Sequence, residues 1–557
     1  MSHLVYSLVR ALLSYPLSLA GLKYYHPVWH TICFSLRAER VIRMNQNTSQ
    51  YAELLTGAVM GIEAKPVSVE INIARGLPAF NIVGLPDASI RESRERIRAA
   101  IQHTGCEFPL GRITANLAPG DTRKEGPSFD LSLAVGILAA TRQVDPGRAA
   151  RYLYIGELRL DGTLQPCRGV LPIVSSLKEG LADTVIVPPE NGDEAAAAGD
   201  MEVLCAATLA DVVAFLKEEG QLERRDEHSL VVCEQDGNGL DFADVRGQAV
   251  VKRALEVAAA GNHNVLMVGT PGAGKTMLAR RVPGILPAMS REEWIEVTKI
   301  YSAAGLLQSG EPAPFARPFR TPHHTIGRAG LVGGGCVPMP GEVSLAHRGV
   351  LFLDEIPEFN RQALESLREP LESGEIILSR VLGTVRYPAR FLLMSAANPC
   401  PCGYLLDSGQ TCTCDPYRVR RYRSRISGPL LDRIDIHVEV SRPAAGDLLN
   451  RVRGEGSREI RERVLTARQH QKKRLNREIM CTNADMNQAE LEEHCRLAQD
   501  GDIFMRHSLE RLGLSARAFH KVLRVARTIA DLEDSPAVSV AHLAEAVSYR
   551  CFDRGWI

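Results

Sequence analysis

Asn264 to Arg280, NVLMVGTPGAGKTMLAR, decides the fold: it reads as a buried strand, a glycine-rich turn and the start of a helix. Within it, Gly269-Thr270-Pro271-Gly272-Ala273-Gly274-Lys275-Thr276 is a complete G-x-x-x-x-G-K-[ST] phosphate loop. The glycines let successive backbone N–H groups turn inward on a phosphate, Lys275 adds a point charge for the β/γ oxygens, and Thr276 offers a hydroxyl to Mg²⁺. A chance glycine turn would lack the apolar strand before it and the helix-forming residues after it. Further on, Gly349-Val-Leu-Phe-Leu-Asp354-Glu355 is an apolar run ending in two carboxylates, as a buried parallel strand does when it delivers acids to a metal and an attacking water. The expected cofactors are ATP and Mg²⁺. Gly269 to Thr276 and Asp354 would bind them, Thr276 and Asp354 serving the ion, and Glu355 would polarise the nucleophile.

Around that centre, 557 residues are too many for one core and call for three or four units. Hydrophobic content of 45% with 24% charged residues belongs to a soluble globular protein. Lys plus Arg equals Asp plus Glu at 66 each, so nucleic-acid binding must come from local patches and not from net charge. Most of the thirteen cysteines stand singly in apolar segments, as reduced core residues of a cytoplasmic protein do. No apolar run is long enough to span a bilayer, so no membrane partner is expected.

Residues 1–50 read as an extension, either disordered or lying before a biological start at Met44. Residues 51–216 form an α/β unit: Val67 to Ile73 alternates as a half-buried strand, and Pro86 to Ile101 is an amphipathic helix. Two patches, Lys124-Glu-Gly-Pro-Ser128 and Gly156-Glu-Leu-Arg-Leu-Asp-Gly162 followed by Pro166, resemble the Lon protease domain. The resemblance places Ser128 at the nucleophile, yet alignment on Gly156, Gly162 and Pro166 puts Leu171 where the base lysine should stand, and Lys178 would need a seven-residue shift. A serine without a base is a poor nucleophile, so a Lon-like fold reused for assembly or DNA contact is expected, with Ser128 as a helix N-cap.

Residues 217–240 have a polar linker composition, 241–440 read as the ATPase core with a cysteine-bearing insertion at 400–414, and 441–557 as a helical lid. Ahead of Asp354 lies a Gly/Pro-rich insertion with His323-His324; adjacent histidines diverge on any regular element, so zinc is not expected there. Gly374 to Pro388 reads as a β-hairpin, and Phe391 to Asn398 as a buried strand whose terminal Asn398 can orient the attacking water. Ser427-Gly-Pro-Leu-Leu-Asp-Arg433 follows.

The order phosphate loop, Asp354-Glu355, Asn398, Leu-Leu-Asp-Arg433 resembles the AAA+ ATPases of the magnesium-chelatase and replicative-helicase clade. With the Lon-like unit, His323-His324 and Asn398-Pro-Cys-Pro-Cys-Gly403, the chain from Tyr51 onward is similar to the competence protein ComM (YifB) family. The resemblance implies a Lon-like α/β domain followed by an AAA+ P-loop domain on a parallel sheet and a helical lid. It makes Arg433 an arginine finger reaching a neighbouring subunit, and Arg517 the sensor-2 arginine with Arg524 as the alternative. Glu355, Asn398, Arg433 and Arg517 are thus the candidate catalytic residues. It also implies a homohexameric ring driving branch migration on single-stranded and branched DNA, with a recombinase as a further partner. The alternatives are a magnesium-chelatase-like or MoxR-like ATPase remodelling a protein partner, and a Lon-type peptidase.

Four cysteines are not scattered. Cys400, Cys402, Cys412 and Cys414 form two C-x-C pairs that can converge on one tetrahedral ion, and four thiolates favour a closed structural Zn²⁺ site over disulfides in a reducing compartment. Tyr417 to Arg425 then interleaves five arginines with tyrosines, suited to phosphates and stacked bases, to a subunit contact, or to a solvated face. From Pro443 the chain reads as helical, with a basic helix from Ser457 and a terminal one at Val538 to Tyr549.

Overall fold

The computed structural model describes residues 50–552 apart from 122, 178–180, 200, 227–238, 308–315, 336–337, 381–382, 408, 444–453, 478–481 and 551. The expectations for the N-terminal extension and for Lys178 lie outside the described residues, as does the start of the expected lid at 444–453.

The first unit is built on a mixed eight-stranded sheet, β1 (Gln50–Met60), β2 (Glu63–Ala74), β3 (Ala79–Val83), β4 (Arg112–Ala118), β5 (Tyr152–Tyr154), β6 (Thr184–Val187), β7 (Glu202–Cys205) and β8 (Glu223–Arg225), in the order β8-β7-β6-β5-β1-β2-β4-β3. β1 and β2 make a long antiparallel hairpin from Gln50↔Ile73 to Met60↔Glu63, and Val67, Val69, Ile71 and Ile73 alternate into the core. Helix α1 (Ala88–His103) buries Ile90, Ile97 and Ile101, while α2 (Asp130–Ala140) is buried all round, apolar except for Asp130, which accepts from Arg96, and Ser132, which donates to Phe129 O.

Two expectations are corrected in this unit. Ser128 is not an N-cap: Pro127 opens a 3₁₀ turn, Pro127–Phe129, that runs into α2, so Ser128 lies inside the turn and Phe129 takes the cap position. Nor is 217–240 purely linker, because β8 pairs antiparallel with β7 and extends the sheet. Leu171, on α3 (Val170–Ser176), is fully buried and apolar, so the position aligned with a base lysine offers no proton acceptor.

The ATPase core carries a five-stranded all-parallel sheet: β9 (Val265–Gly269), β10 (Phe319–Arg320), β11 (Val350–Leu353), β14 (Leu392–Ala397) and β15 (Ile436–Val440), ordered β10-β11-β14-β9-β15. The antiparallel hairpin β12 (Glu375–Arg380) and β13 (Gly383–Pro388) stands apart from it. VLMVG, VLFL and LLMSAA are buried along their whole lengths, the signature of parallel strands covered on both faces. Helix α4 (Ala249–Gly261) precedes β9, α5 (Lys275–Arg281) follows the phosphate loop, and α6 (Arg291–Ala304) crosses to the first unit. There Trp294 joins the cluster of Leu171 and Val174, and the Ser302 hydroxyl donates to Glu194 at 2.5 Å. A short helix α7 (Pro416–Arg423) precedes β15.

The lid comprises α8 (Ser457–Leu475), α9 (Gln488–His494), α10 (Gln499–Leu512), α11 (Ala516–Leu532) and α12 (Val540–Ser548). Val464, Ala467, Val525, Ala526 and Ile529 share one core with Leu255 and Ala258 of α4, so lid and ATPase fold around a common interior. At this seam His263 is fully buried with Nε2 2.8 Å from Thr528 Oγ1, and burial depresses its pKa to about 4. The unfolded chain, near the ordinary 6.5, takes up the proton first, so this stability is present above about pH 6.5 and lost as pH falls toward 4, roughly 3 kcal/mol when complete. A melting temperature that falls from pH 7 to pH 5 is expected. His263→Gln should flatten part of the fall, since burial shifts His347 and His437 the same way.

Candidate functional site

The C-terminal edge of the parallel sheet gathers the nucleotide chemistry, as such sheets do. β9 ends in the phosphate loop, where Gly272 (φ +78°) and Gly274 (φ +91°) adopt the left-handed backbone that turns amides inward. Lys275 Nζ donates to Gly269 O (2.6 Å), Thr270 O (3.1 Å) and Asn398 Oδ1 (3.2 Å). Its pKa is lowered by burial, against which the charges of Asp354 and Glu355 act. Thr276 Oγ1 donates to Asp354 Oδ2 at 2.6 Å. Three segments distant in sequence thus meet around one lysine.

The residues fit a Mg–nucleoside triphosphate. Thr270 Oγ1 is buried with no hydrogen-bond partner among the described residues, the open backbone at Gly272 leaves space for a phosphate, and Thr276 with Asp354 supplies hard oxygen ligands side by side. Glu355 adopts φ +52°, a left-handed conformation costly for a side chain with a Cβ, as is found where the chain must aim a group. A cavity of about 410 Å³ opens between Val245-Arg246-Gly247, the first turns of α4, and Glu455 and Arg463.

Arg433 and Arg517 lie elsewhere. Asn264, immediately before β9, donates from Nδ2 to Arg433 O at 3.1 Å, so Arg433 sits at the N-terminal edge of the sheet, a five-residue strand away from the phosphate loop, about 13 Å. Its guanidinium pairs with Glu372 and donates to Pro429 O at 2.6 Å. A cleft of about 520 Å³ joins Arg433 to Arg517, Lys521 and Arg524. Lys521 is committed to Asp435 at 2.8 Å and Arg524 donates to Met486 O at 2.5 Å, whereas Arg517 is exposed at the first turn of α11.

The four cysteine sulfurs converge to within 4.8 Å of one another. Cys400 Sγ lies 3.3 Å from Cys402 Sγ and 3.6 Å from Cys412 Sγ, and no disulfide joins them. Bonds of about 2.3 Å to one tetrahedral ion would set sulfurs about 3.8 Å apart, close to this arrangement. Of the five arginines that follow, two are tied to neighbouring groups: half-buried Arg423 donates from Nε to Pro399 O, and the exposed Arg425 pairs with Glu358 at 2.6 Å. Arg418, Arg420 and Arg421 are exposed, as is Tyr417. His323 and His324 stack on each other with His324 against Phe359, and neither joins a metal-ligand cluster among the described residues.

Three residues were missed in the sequence. Gln248 reaches Ala273 O (3.5 Å), and Arg442 donates to Pro271 O (3.3 Å) while facing Asp407 (3.5 Å). Gln248 closes the Asp-Val-Arg-Gly-Gln run that opens the ATPase and was a legible signal; nothing local marks Arg442 or Asp407.

Profiles of one family tile the chain: "Magnesium chelatase, subunit ChlI" over residues 241–448, "Subunit ChlI of Mg-chelatase" over 69–191, and "Magnesium chelatase, subunit ChlI C-terminal" over 454–550. With the nucleotide chemistry on one edge of the sheet, they define the class as magnesium-chelatase-like AAA+ ATPases. The chain is 43% identical to YifB of Escherichia coli (strain K12) over 90% of its own length and 97% of that protein, and 43% identical to the competence protein ComM of Haemophilus influenzae over 89% and 97%. The magnesium-chelatase 38 kDa subunit of Cereibacter sphaeroides is 26% identical over 28% of this chain and 52% of that subunit. Within its class, the chain belongs to the YifB/ComM family. No helix among the described residues is long and apolar enough to cross a membrane.

Proposed function

We propose that the protein is an ATP-driven ring motor, a DNA helicase promoting branch migration during recombination or DNA uptake in the cytoplasm. The observation that carries this reading is the separation of Arg433 from Lys275 by the length of β9, with Arg517 in the same cleft as Arg433: arginines that cannot reach their own nucleotide serve a neighbour's, which requires a ring such as a homohexamer. In the half-site a chain keeps for itself, Lys275, Thr276 and Asp354 hold the Mg-triphosphate, Glu355 takes a proton from the attacking water, and Asn398 orients that water. The cavity beside Gly247 takes the base. The name of the Haemophilus relative supports a role in competence. A Lon-like fold for the first unit serves assembly or DNA contact, since Leu171 leaves Ser128 without a base.

Zn²⁺ at the four cysteines is structural, and α7 beside it presents Tyr417, Arg418, Arg420 and Arg421 to single-stranded or branched DNA. A recombinase that supplies the joint would be a further partner. The test is ATP hydrolysis with and without single-stranded and forked DNA, alongside migration of a synthetic four-way junction. DNA stimulation and ATP-dependent migration are expected. ATPase unaffected by any DNA would favour remodelling of a protein partner. Replacing Arg420 and Arg421 with alanine should weaken both DNA forms alike and reduce the log–log salt slope by about one unit per lost contact. An unchanged slope with loss of DNA-free ATPase would assign these arginines to the subunit contact.

A further inference from the structure

The four-cysteine loop touches the phosphate loop. Gly403, at φ +86°, lies flat on Pro271: a Cβ at that position would stand 2.5 Å from Pro271 Cδ and 2.6 Å from Cγ. Its amide closes a tight turn onto Cys400 O at 3.0 Å, so Gly403 is placed by two of the four ligands, Cys400 and Cys402. Four residues beyond it Asp407, on the same loop, faces Arg442, and Arg442 donates to Pro271 O at 3.3 Å. Pro271 has no N–H of its own with which to fasten the loop. On the other flank Asn398, which accepts from Lys275, is two residues from Cys400, and Arg423 holds the intervening Pro399 carbonyl. Among the loop's residues Cys400 is fully buried, whereas Leu405 and Leu406 are about 40% exposed, so an apolar core does not account for its order.

We propose that the ion held by Cys400, Cys402, Cys412 and Cys414 is a positioning element of the ATP site, pressing Gly403 and the Asp407–Arg442 pair onto Pro271 and fixing Asn398 beside Lys275. This rests on the reading of the four thiolates as a zinc site and of the phosphate loop as the ATP site. Because metal binding supplies the ordering free energy of so small a loop, losing the ion frees both contacts at once. The DNA-facing side of α7 and the phosphate loop are thereby joined through the metal loop, with Arg423 and Tyr422 on its inner face.

Full-length protein is assayed without DNA for zinc content, for ATP affinity and for the kcat and KM of hydrolysis. Zinc near one per chain is expected for the parent. Gly403→Ala should keep the zinc and raise KM for ATP about tenfold, a displacement of the phosphate loop by a fraction of an ångström, with a smaller change in kcat because Cys400 still holds Asn398. Cys402→Ser, or treatment with a zinc chelator too weak to take Mg²⁺, should lower zinc and degrade both KM and kcat, and added Zn²⁺ should rescue the chelated parent but not the variant. Arg442→Ala should follow Gly403→Ala, and Arg442→Lys should recover part of the loss. Zinc-free protein that hydrolyses ATP with parental kcat and KM overturns the positioning role while leaving the zinc reading intact. Parent protein purified without zinc and indifferent to Cys402→Ser overturns the zinc reading and this proposal with it. Parental constants in both Gly403→Ala and Arg442→Ala overturn the contact with Pro271.

Discussion

Glu355→Gln is expected to bind ATP as the parent does while hydrolysing it about 10²- to 10⁴-fold more slowly, the worth of a positioned general base. Glutamine matches glutamate in shape, so the left-handed turn at φ +52° and the strand delivering it are kept, and only proton acceptance is lost. Phosphate release and equilibrium nucleotide binding, measured on the same preparation, check the split. Lys275→Ala is the contrast: it removes the group bound to Gly269 O, Thr270 O and Asn398 Oδ1, and should lose nucleotide binding itself. Parental turnover in Glu355→Gln would remove Glu355 from the proton-accepting role.

Arg433→Ala should bind ATP normally yet lose hydrolysis by about 10³-fold or more, the range of an arginine supplied to a transferring phosphoryl group. The cost to the fold is small, because the Glu372 carboxylate it leaves is 60% exposed and remains hydrated. Mixing Arg433→Ala with excess Glu355→Gln should restore turnover, since one chain brings an intact Glu355 and the other an intact Arg433 to the shared site. Failure to recover activity in rings verified to contain both chains would mean that Arg433 does not act on a neighbour.

What the sequence discloses here is what lies close along the chain. The phosphate loop, the apolar runs ending at Glu355 and Asn398, the hairpin within Gly374 to Pro388 and the long helix from Ser457 each rest on a local period or motif, and the structure forms a matching element at each. Contacts made across the sheet were not legible. Arg433 and Arg517 share a cleft only because the strand edge and the first turn of α11 are brought together, and Arg442 meets Pro271 through the pairing of β15 with β9. Strand β8 escaped notice because Glu223-Arg-Arg225 is a short charged edge strand, the composition that protects an edge from further pairing and the same one that marks a linker. Ser128 was misplaced because Pro127 opens the helical turn before the residues that look like its start.

The opposite placement of Lys275 and Arg433 on the two edges of one sheet has a kinetic signature under the proposed assembly. Each chain is a donor on one side and an acceptor on the other, so contacts are head-to-tail and a two-fold dimer would satisfy neither side completely. An open string of n chains contains n − 1 finished sites and one orphan at each end, and closure converts both orphans into the final site. Specific activity should therefore climb with protein concentration and level off once the circle closes, a sigmoid that belongs to assembly and owes nothing to cooperativity between bound nucleotides.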